Sequence, residues 1–150
     1  MADGAHLRHR YACPLRWSDM DAFRHVNNVN FLRYLEEARI DFMWTQASNA
    51  GVRDLSRGTV VARHEIDYLR PLVHRAAPVT VETWLTKLAN ASFTVAYEIK
   101  DVHEDGTETL YVRASTKCVP YDLDAGRPRR MSQGEREFLA PYLEAPVAAV

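Results

Sequence analysis

The amino-acid sequence predicts an α+β fold, in which a curved antiparallel sheet of about five strands wraps one long helix and a short helix closes the chain. Three observations lead to this prediction. A single strand-like run precedes one long segment with helical periodicity, four strand-like runs follow it, and short turns join the later runs. With one long helix, a sheet that curves around it is the simplest way to bury the apolar stripe of that helix.

The length and charge of the chain narrow the classes of protein. A chain of 150 residues fits a single domain, residues 1–150, and is long enough to bury a core. Its 19 Lys and Arg balance 20 Asp and Glu, so the formal charge of −1 gives no field to attract nucleic acid. No run approaches the roughly 20 apolar residues that span a bilayer, and no secretory signal is evident. We therefore expect a cytoplasmic protein with neither a nucleic-acid nor a membrane partner, whose Cys13 and Cys118 stay reduced.

The first strand-like run covers residues 7–17. Its alternating apolar face consists of Tyr11, Cys13, Leu15 and Trp17. Pro14 interrupts this run, and because proline has no backbone N–H to donate, the pattern predicts an edge strand or a bulge.

The long helix is predicted for the segment NVNFLRYLEEARIDFMWTQASNAG, which begins at Asn28. Its apolar residues recur at steps of three and four positions: Phe31, Tyr34, Leu35, Ala38 and Phe42. Asn27 or Asn28 suits the N-cap, and Asn49 or Gly51 suits the C-terminal stop. The pattern predicts a helix of about five turns with one apolar face toward the sheet.

Four strand-like runs follow the helix, at residues 59–69, 78–88, 92–102 and 109–119. The short joins at residues 89–91 and 104–106 are typical of hairpin turns, and Gly106 supplies the positive φ that such a turn needs. These runs therefore predict an antiparallel meander. Trp84 falls on the face that points away from the helix, and a partner subunit could cover that face.

The chain closes with a second, shorter helix in the segment SQGEREFLAPYL, residues 132–143. Ser132 is its expected cap, and Glu135 lies three residues further on, where its side chain can complete a capping box. The capping box therefore predicts that this helix begins after Ser132.

Polar residues are most concentrated in WSDMDAFRHVNN, residues 17–28, immediately before the long helix. Ser, Asp and Asn are ordinary residues of turns and caps, but a cap uses only one or two of them. Asp21 and His25, four residues apart, remain beside a helix N-terminus, whose free N–H groups suit a developing negative charge. A carboxylate next to such donors suits a general base or a nucleophile acting on a carbonyl, which indicates acyl transfer as the reaction class.

The segment RWSDMDAFRHVNNVNFLRYLEEARIDF resembles the N-terminal signature of the hotdog-fold thioesterases, in the branch that contains 4-hydroxybenzoyl-CoA thioesterase and the plant acyl-carrier-protein thioesterases. The similarity continues through VVARHEIDYLRPLVH and, more weakly, through LANASFTVAYEI and EDGTETLYVRASTKCVPYD, and so covers about four fifths of the chain. The resemblance implies a hotdog fold and an enzyme that hydrolyses an acyl thioester of coenzyme A or of a carrier protein. The products are a carboxylic acid and a free thiol, and no metal or redox cofactor is implied.

The resemblance also implies roles for individual residues. Asp21 matches the family's catalytic aspartate, which acts either as a nucleophile that forms an anhydride or as the base for the attacking water. Asn28 matches the position whose backbone N–H polarises the thioester carbonyl. His25 matches a histidine in the D-x-N-x-H-V-N-N pattern of the plant enzymes, although Phe23 replaces the asparagine of that pattern. His25 is therefore implied as a supporting contact to the substrate, the water or the loop.

The residues predicted to bind the rest of the substrate are Phe23, Val26, Asn27, Arg127 and Arg129. The first three lie around the start of the helix. Phe23 and Val26, together with parts of the helix face, are expected to line the apolar side of the site. The two arginines belong to the run GRPRR and suit the phosphates of coenzyme A, although such a run is more often a solvated loop. In the family a second subunit completes the site, which implies a homodimer or homotetramer with the active site at the subunit interface.

Other candidate residues carry less weight. His64 lies on the apolar face of the second predicted strand, a position more typical of a hydrogen-bonded core residue than of a catalyst. Glu37 and Glu65 remain alternatives, because other hotdog branches draw a carboxylate from the helix or the sheet. Asp19 is expected to shape the turn before the helix.

Two other functions remain open at this point. The first is a non-catalytic hotdog module that binds acyl-CoA without turnover, which the apolar Phe23 in place of a polar residue keeps open. The second is a hotdog hydratase or dehydratase, whose usual pattern places a histidine five residues after the aspartate with Asn-Pro between them. Here His25 follows Asp21 by four residues without a proline, which makes this alternative the weakest.

Overall fold

The structure is a computed structural model and describes residues 6–144. Its main element is an antiparallel sheet with the strand order β1-β3-β4-β5-β2. The strands are β1 (His9–Cys13), β2 (Thr59–Tyr68), β3 (Val79–Leu88), β4 (Phe93–Val102), β5 (Glu108–Asp122) and the short β6 (Arg127–Pro128), which pairs with β5. The sheet curls around a long helix, so the predicted helix-wrapping sheet of five main strands is confirmed. The predicted meander of all four later runs is wrong for β2, which pairs with β5 at the far edge rather than with β3.

The central helix, residues 28–49, is built from three consecutive segments. These are α1 (Asn28–Ile40), a π-helical turn (Asp41–Gln46) and α2 (Ala47–Asn49). Asn27 is its N-cap, since the Asn27 side chain accepts from the backbone N–H of Val29. The helix ends at Ala50 and Gly51, and Gly51 has the positive φ of 84° that favours glycine. Both predicted ends are therefore confirmed.

The core lies between the central helix and the concave face of the sheet. All five residues of the predicted apolar stripe are buried there: Phe31, Tyr34, Leu35, Ala38 and Phe42. Alternate residues of β3 and β4 face the same core: Val79, Val81, Thr83 and Leu85 of β3, and Phe93, Val95, Tyr97 and Ile99 of β4. The alternation of the strands and the period of the helix thus bury one common surface.

The first strand is shorter than predicted. It ends at Cys13, and the chain beyond Pro14 leaves the sheet and forms a 3₁₀ turn at Trp17–Asp19. Trp17 is 75% exposed rather than buried with Cys13 and Leu15. The predicted edge position is confirmed, because β1 pairs only with β3 among the described strands.

The second strand contains a bulge that the alternation of its sequence did not predict. Its pairing register with β5 shifts between Val61 and Arg63. As a result Val61 faces buried Cys118 and His64 faces buried Thr116, so both side chains lie on the helix side of the sheet. Strict alternation along the strand would place Val61 and His64 on opposite faces, and the bulge removes that difference.

The convex face of the sheet is partly covered by the chain itself. The guanidinium of Arg8 lies 3.7 Å from the ring centroid of Trp84 and forms ion pairs with Glu82 and Glu144. The ammonium of Lys100 also pairs with Glu82, at 3.1 Å. Trp84 therefore receives part of its cover from Arg8, without a partner subunit.

The closing segment begins as predicted. α4 (Gln133–Leu139) is capped by Ser132, whose hydroxyl accepts from the N–H of Glu135, and the Glu135 side chain completes the capping box. A 3₁₀ turn (Ala140–Tyr142) follows, and a one-turn helix, α3 (Asp54–Arg57), precedes β2. None of the helices among residues 6–144 has the length and apolar character needed to cross a membrane.

Candidate active site

Asp21 stands at the head of a tight hairpin just before the central helix. The hairpin is closed by an antiparallel bridge between Met20 and Val26 and by a hydrogen bond from the N–H of Asp21 to the carbonyl of His25, at 3.0 Å. Arg24, at its tip, adopts a φ of 65°, which is unusual for a residue other than glycine. The sequence thus holds a strained turn beside the predicted catalytic residue, as is frequent at functional sites.

The carboxylate of Asp21 is oriented by two hydrogen bonds. One oxygen accepts from the backbone N–H of Phe23 at 2.8 Å, and the other accepts from the side-chain amide of Asn27 at 3.0 Å. The side chain is only partly buried, and each oxygen keeps a lone pair for another donor. Asp21 is therefore a fixed, accessible acceptor that could take a proton from water or attack a carbonyl.

The helix start beside Asp21 has an unused donor. The side-chain oxygen of Asn27 accepts from the N–H of Val29, and the backbone N–H of Asn27 donates to the carbonyl of Asp19. Among residues 6–144, the backbone N–H of Asn28 has no protein acceptor. Free N–H groups at a helix N-terminus favour a negative oxygen, so Asn28 has the character of an oxyanion donor.

An open cleft of 340 Å³ lies over this helix start. Its lining is formed by Asp21, Phe23, His25, Val26, Asn28, Phe31, Tyr68, Leu69, Arg70 and Pro71. The structure therefore brings together five of the predicted site residues, and Asn27 contacts the cleft through Asp21. The side chains of His25 and Phe23 are exposed, and Phe23 reaches 82% exposure.

Tyr68 is a site residue that the sequence did not single out. Its hydroxyl donates to the carbonyl of Asn28 at 3.1 Å, and its ring lies 5.7 Å from that of Phe31. It therefore fixes the end of β2 against the start of the helix. Tyr68 lies two residues before the segment Arg70-Pro71-Leu72, where the strand ends, but only the fold shows that this end of the strand meets the helix N-terminus.

Asp19 supports the site from behind. Its carboxylate accepts from the N–H of Arg16 at 3.0 Å and from the hydroxyl of Tyr34 at 2.6 Å, and the residue is buried. Burial and the bond to Asp19 raise the pKa of Tyr34, so the hydroxyl stays a donor. The expected turn-shaping role of Asp19 is confirmed, because its backbone carbonyl also holds Asn27.

The two arginines predicted to bind phosphates do not line the cleft. Arg129 forms two hydrogen bonds with the buried carboxylate of Glu135, at 2.7 and 3.0 Å, and one with the carbonyl of Asp54. This guanidinium ties the β6 segment to α4, which is a structural role. Arg127 is exposed in β6, and its phosphate-binding role stays a prediction.

The residues given less weight lie elsewhere. The imidazole of His64 forms a hydrogen bond with the hydroxyl of Thr116, at 2.8 Å. Partial burial lowers the pKa of His64. Glu65 pairs with Arg63 on the exposed edge strand, and Glu37 is exposed on the central helix. None of the three carboxylate or imidazole groups lines the cleft around Asp21.

The thiols are unsuited to nucleophilic attack. Burial raises the pKa of Cys13 to about 12 and that of Cys118 to about 11, so both stay protonated near neutral pH. Among residues 6–144, no group of three or more His, Cys, Asp or Glu side chains is arranged to hold a metal ion. Asp21 is the carboxylate of the cleft, and a carboxylate suits the role of base or nucleophile.

Comparison with known proteins gives the class of this fold and site. The family described as the Thioesterase-like superfamily matches residues 15–140, which include the hairpin, the central helix and the whole of strands β2 to β6. No curated protein matches the chain.

Solved structures agree with this match. A thioesterase from Thermus thermophilus, solved with coenzyme A and Zn, is 29% identical with a TM-score of 0.71, and covers 89% of this chain and 93% of that one. A predicted thioesterase from Bacillus stearothermophilus, 24% identical, gives a TM-score of 0.74 over 94% of this chain and 100% of its own. The 1,4-dihydroxy-2-naphthoyl-CoA thioesterase Slr0204 from Synechocystis is 19% identical, with a TM-score of 0.72, and the match covers 89% of this chain and 96% of that one. The last two likenesses show the fold alone.

These findings define a hotdog-fold thioester hydrolase. The chain belongs to the thioesterase-like superfamily.

Proposed function

We propose that this protein hydrolyses an acyl-CoA or acyl-carrier-protein thioester at the cleft between the Asp21 hairpin and the start of the central helix. The single observation that carries the proposal is the juxtaposition of an oriented carboxylate, Asp21, with the unused N–H of Asn28. One group can activate or replace water, and the other can stabilise the oxyanion. The solved thioesterase from Thermus thermophilus that contains coenzyme A supports a CoA thioester as the substrate.

In the proposed reaction, the N–H of Asn28 donates to the thioester carbonyl oxygen. Asp21 either takes a proton from the attacking water or attacks the carbonyl itself, and in the second case water then cleaves the acyl anhydride. Either route breaks the C–S bond and releases a thiol and a carboxylate. His25 contacts the substrate from the exposed rim of the cleft, and Phe23, Val26 and Asn27 shape its entrance. Water is the co-substrate, and we propose that no metal or redox cofactor takes part.

We further propose that a second subunit completes the site. β2 lies at the edge of the sheet with one side unpaired among the described strands, and nearly all of its residues are exposed. Apolar side chains are exposed around this edge and the cleft, namely Phe23, Val29, Val60, Val61, Tyr68 and Leu69. A homodimer or homotetramer that pairs this edge would cover them and enclose the open cleft.

The test is a panel of short-chain, long-chain and aromatic acyl-CoA substrates, with release of free thiol as the measurement. We expect saturable thiol release with at least one member, unchanged after dialysis against EDTA. Tight binding of acyl-CoA without thiol release across the panel would contradict the proposed hydrolysis and would favour a non-catalytic module that binds acyl-CoA. Activity that EDTA abolishes and added metal restores would contradict the metal-free reaction.

A further inference from the structure

A second cavity lies along the C-terminal half of the central helix, away from the Asp21 cleft. Its volume is 510 Å³, and it is bounded by the helix, by α3 and by the first residues of β2. Thr59 and Val61 of this lining belong to the β2 edge that the proposed dimer pairs, so a partner subunit would close that side of the cavity. Much of its lining is apolar, with Ile40, Met43, Leu55, Val61 and Leu123. An apolar body of moderate size could therefore bind there.

Arg39 is the unusual residue of this cavity. It is 91% buried, since its exposed fraction is 9%, and it lines the cavity wall. One of its nitrogens, Nη1, donates to the hydroxyl of Tyr97 at 3.2 Å. Among residues 6–144, no other hydrogen bond and no ion pair engages this guanidinium.

A buried guanidinium without a counter-ion is unfavourable. Arginine remains charged in proteins, so burial cannot be relieved by loss of a proton, and removing such a charge from water is costly unless a partner compensates it. Elsewhere in this chain the rule is obeyed, because Arg129 and Lys100 both pair with carboxylates. Arg39 departs from that pattern, and because its unpaired nitrogens are not among the fully buried polar atoms, they open onto the cavity.

The acidic residue of the cavity does not supply the missing partner. Glu36 lies three residues before Arg39 on the same helix and lines the same cavity, but it is exposed and forms no ion pair with Arg39. Arg57 is a second positive side chain of the lining, but it is exposed and pairs with Asp54 at 3.7 Å. The cavity therefore carries one more positive than negative side chain, together with an apolar wall.

From these observations we propose that the cavity binds an organic carboxylate with an apolar body, and that Arg39 is the counter-ion of its carboxylate. The guanidinium fork matches a carboxylate with two parallel hydrogen bonds, which Tyr97 leaves available by engaging only Nη1. The apolar body lies against Ile40, Met43 and Leu55. Arg39 is thus a binding residue, distinct from the groups of the Asp21 cleft.

Such a carboxylate has two possible sources. One is a free fatty acid, the class of compound that thioester hydrolysis releases. The other is a second carboxylate at the far end of a dicarboxylic acyl thioester, a source that rests on the proposed function. Both present the same chemistry to Arg39, and the experiment below separates them.

The binding arm measures decanoate and decan-1-ol by isothermal titration calorimetry on the wild-type protein, Arg39→Met and the matched control Arg33→Met. Arg33 is exposed on the same helix. We expect the wild type and R33M to bind decanoate at least about tenfold more tightly than the alcohol, and R39M to lose about tenfold to a hundredfold in decanoate affinity only. Arg39→Lys keeps the charge and should retain part of the preference, and circular dichroism verifies that each variant is folded.

Absence of saturable decanoate binding, equal affinity for acid and alcohol, or unchanged binding in R39M would overturn the proposal. The turnover arm compares 10-carboxydecanoyl-CoA with undecanoyl-CoA. Selective loss of kcat/KM for the carboxylated thioester in R39M identifies the substrate as the source, and equal effects on both thioesters identify the free acid. If neither thioester is hydrolysed, the proposed function fails while the binding result still decides the role of Arg39.

Discussion

Single hydrogen bonds decide the geometry of the Asp21 cleft. Asn27 has two tasks there: its oxygen caps the central helix at Val29, and its amide donates to the carboxylate of Asp21. The two tasks use different atoms of one side chain, so substitutions can separate stability from activity.

Asn27→Ala removes both tasks, and we expect it to lower the free energy of unfolding by about 1 kcal/mol and to lower kcat/KM as well. Asn27→Asp keeps a capping oxygen but places a second carboxylate beside Asp21. We therefore expect N27D to keep most of the stability while losing activity. Urea unfolding and thiol-release kinetics on both variants provide the measurement. Equal activity of N27D and the wild type would show that the contact to Asp21 is dispensable.

A second residue-level prediction concerns Thr83. Its hydroxyl is fully buried on the helix side of β3 and has no hydrogen-bond partner among the described residues. An unsatisfied buried hydroxyl destabilises the folded state, and valine has nearly the same shape. We expect Thr83→Val to raise the free energy of unfolding by about 1 kcal/mol, measured by urea unfolding. A loss of stability in T83V would indicate a partner for the hydroxyl, such as a buried water.

At the scale of elements, β1 is joined to the π-helical turn by a partly buried pair, His9 and Asp41. The imidazole of His9 lies 2.8 Å from the carboxylate of Asp41 and stacks on Phe42. Burial lowers the pKa of His9 in spite of the neighbouring carboxylate. The folded state therefore favours the neutral imidazole more strongly than the unfolded chain does.

This shift gives a pH dependence of defined sign. Below the unfolded pKa of about 6.5, the unfolded chain binds more protons at His9, so stability is present above that pH and is lost as the pH falls. His64, whose pKa is also lowered, acts in the same direction. We expect His9→Gln to reduce the loss of stability between pH 7.5 and 5.0, by no more than about 1.4 kcal/mol per pH unit. Urea unfolding at both pH values is the measurement, and an equal or steeper loss in H9Q would contradict the assignment.

The elements also show what the sequence could and could not predict. The central helix and its cap followed from local periodicity, because the apolar stripe and Asn27 act within a few residues of the chain. The end of β1 at Cys13 and the bulge after Val61 depended on pairing with distant strands. The polar hairpin likewise predicted Asp21 locally, whereas Tyr68 reaches Asn28 only through the complete fold.

At the scale of the whole molecule, the unpaired edge of β2 is where a second subunit would bind to complete the active site. If two copies pair through this edge, each Val60 side chain becomes part of the interface, and it is 38% exposed in the single chain. Because only the exposed fraction of Val60 remains to be buried, a lysine there would lose roughly 0.5–1 kcal/mol of apolar burial per copy, and it would also place a charge in the interface.

We therefore expect Val60→Lys to weaken self-association by about tenfold or more and to lower activity at dilute concentration. Light scattering and thiol release at matched concentrations measure both. The control is Leu7→Lys, which adds the same charge next to β1, away from the β2 edge. A wild-type chain that is monomeric and fully active would contradict the composite site.

The central claim is that Asp21 performs the chemistry of thioester hydrolysis. The most direct measurement is kcat/KM of Asp21→Asn for the best acyl-CoA substrate, beside Asp124→Asn, an exposed aspartate in the turn between β5 and β6. We expect the kcat/KM of D21N to be about 10²–10⁴ times lower than that of the wild type, because the amide can neither accept the proton nor attack the carbonyl. The structure of D21N should be unchanged, and the kcat/KM of D124N should match the wild type. Near-normal hydrolysis by D21N would contradict the claim.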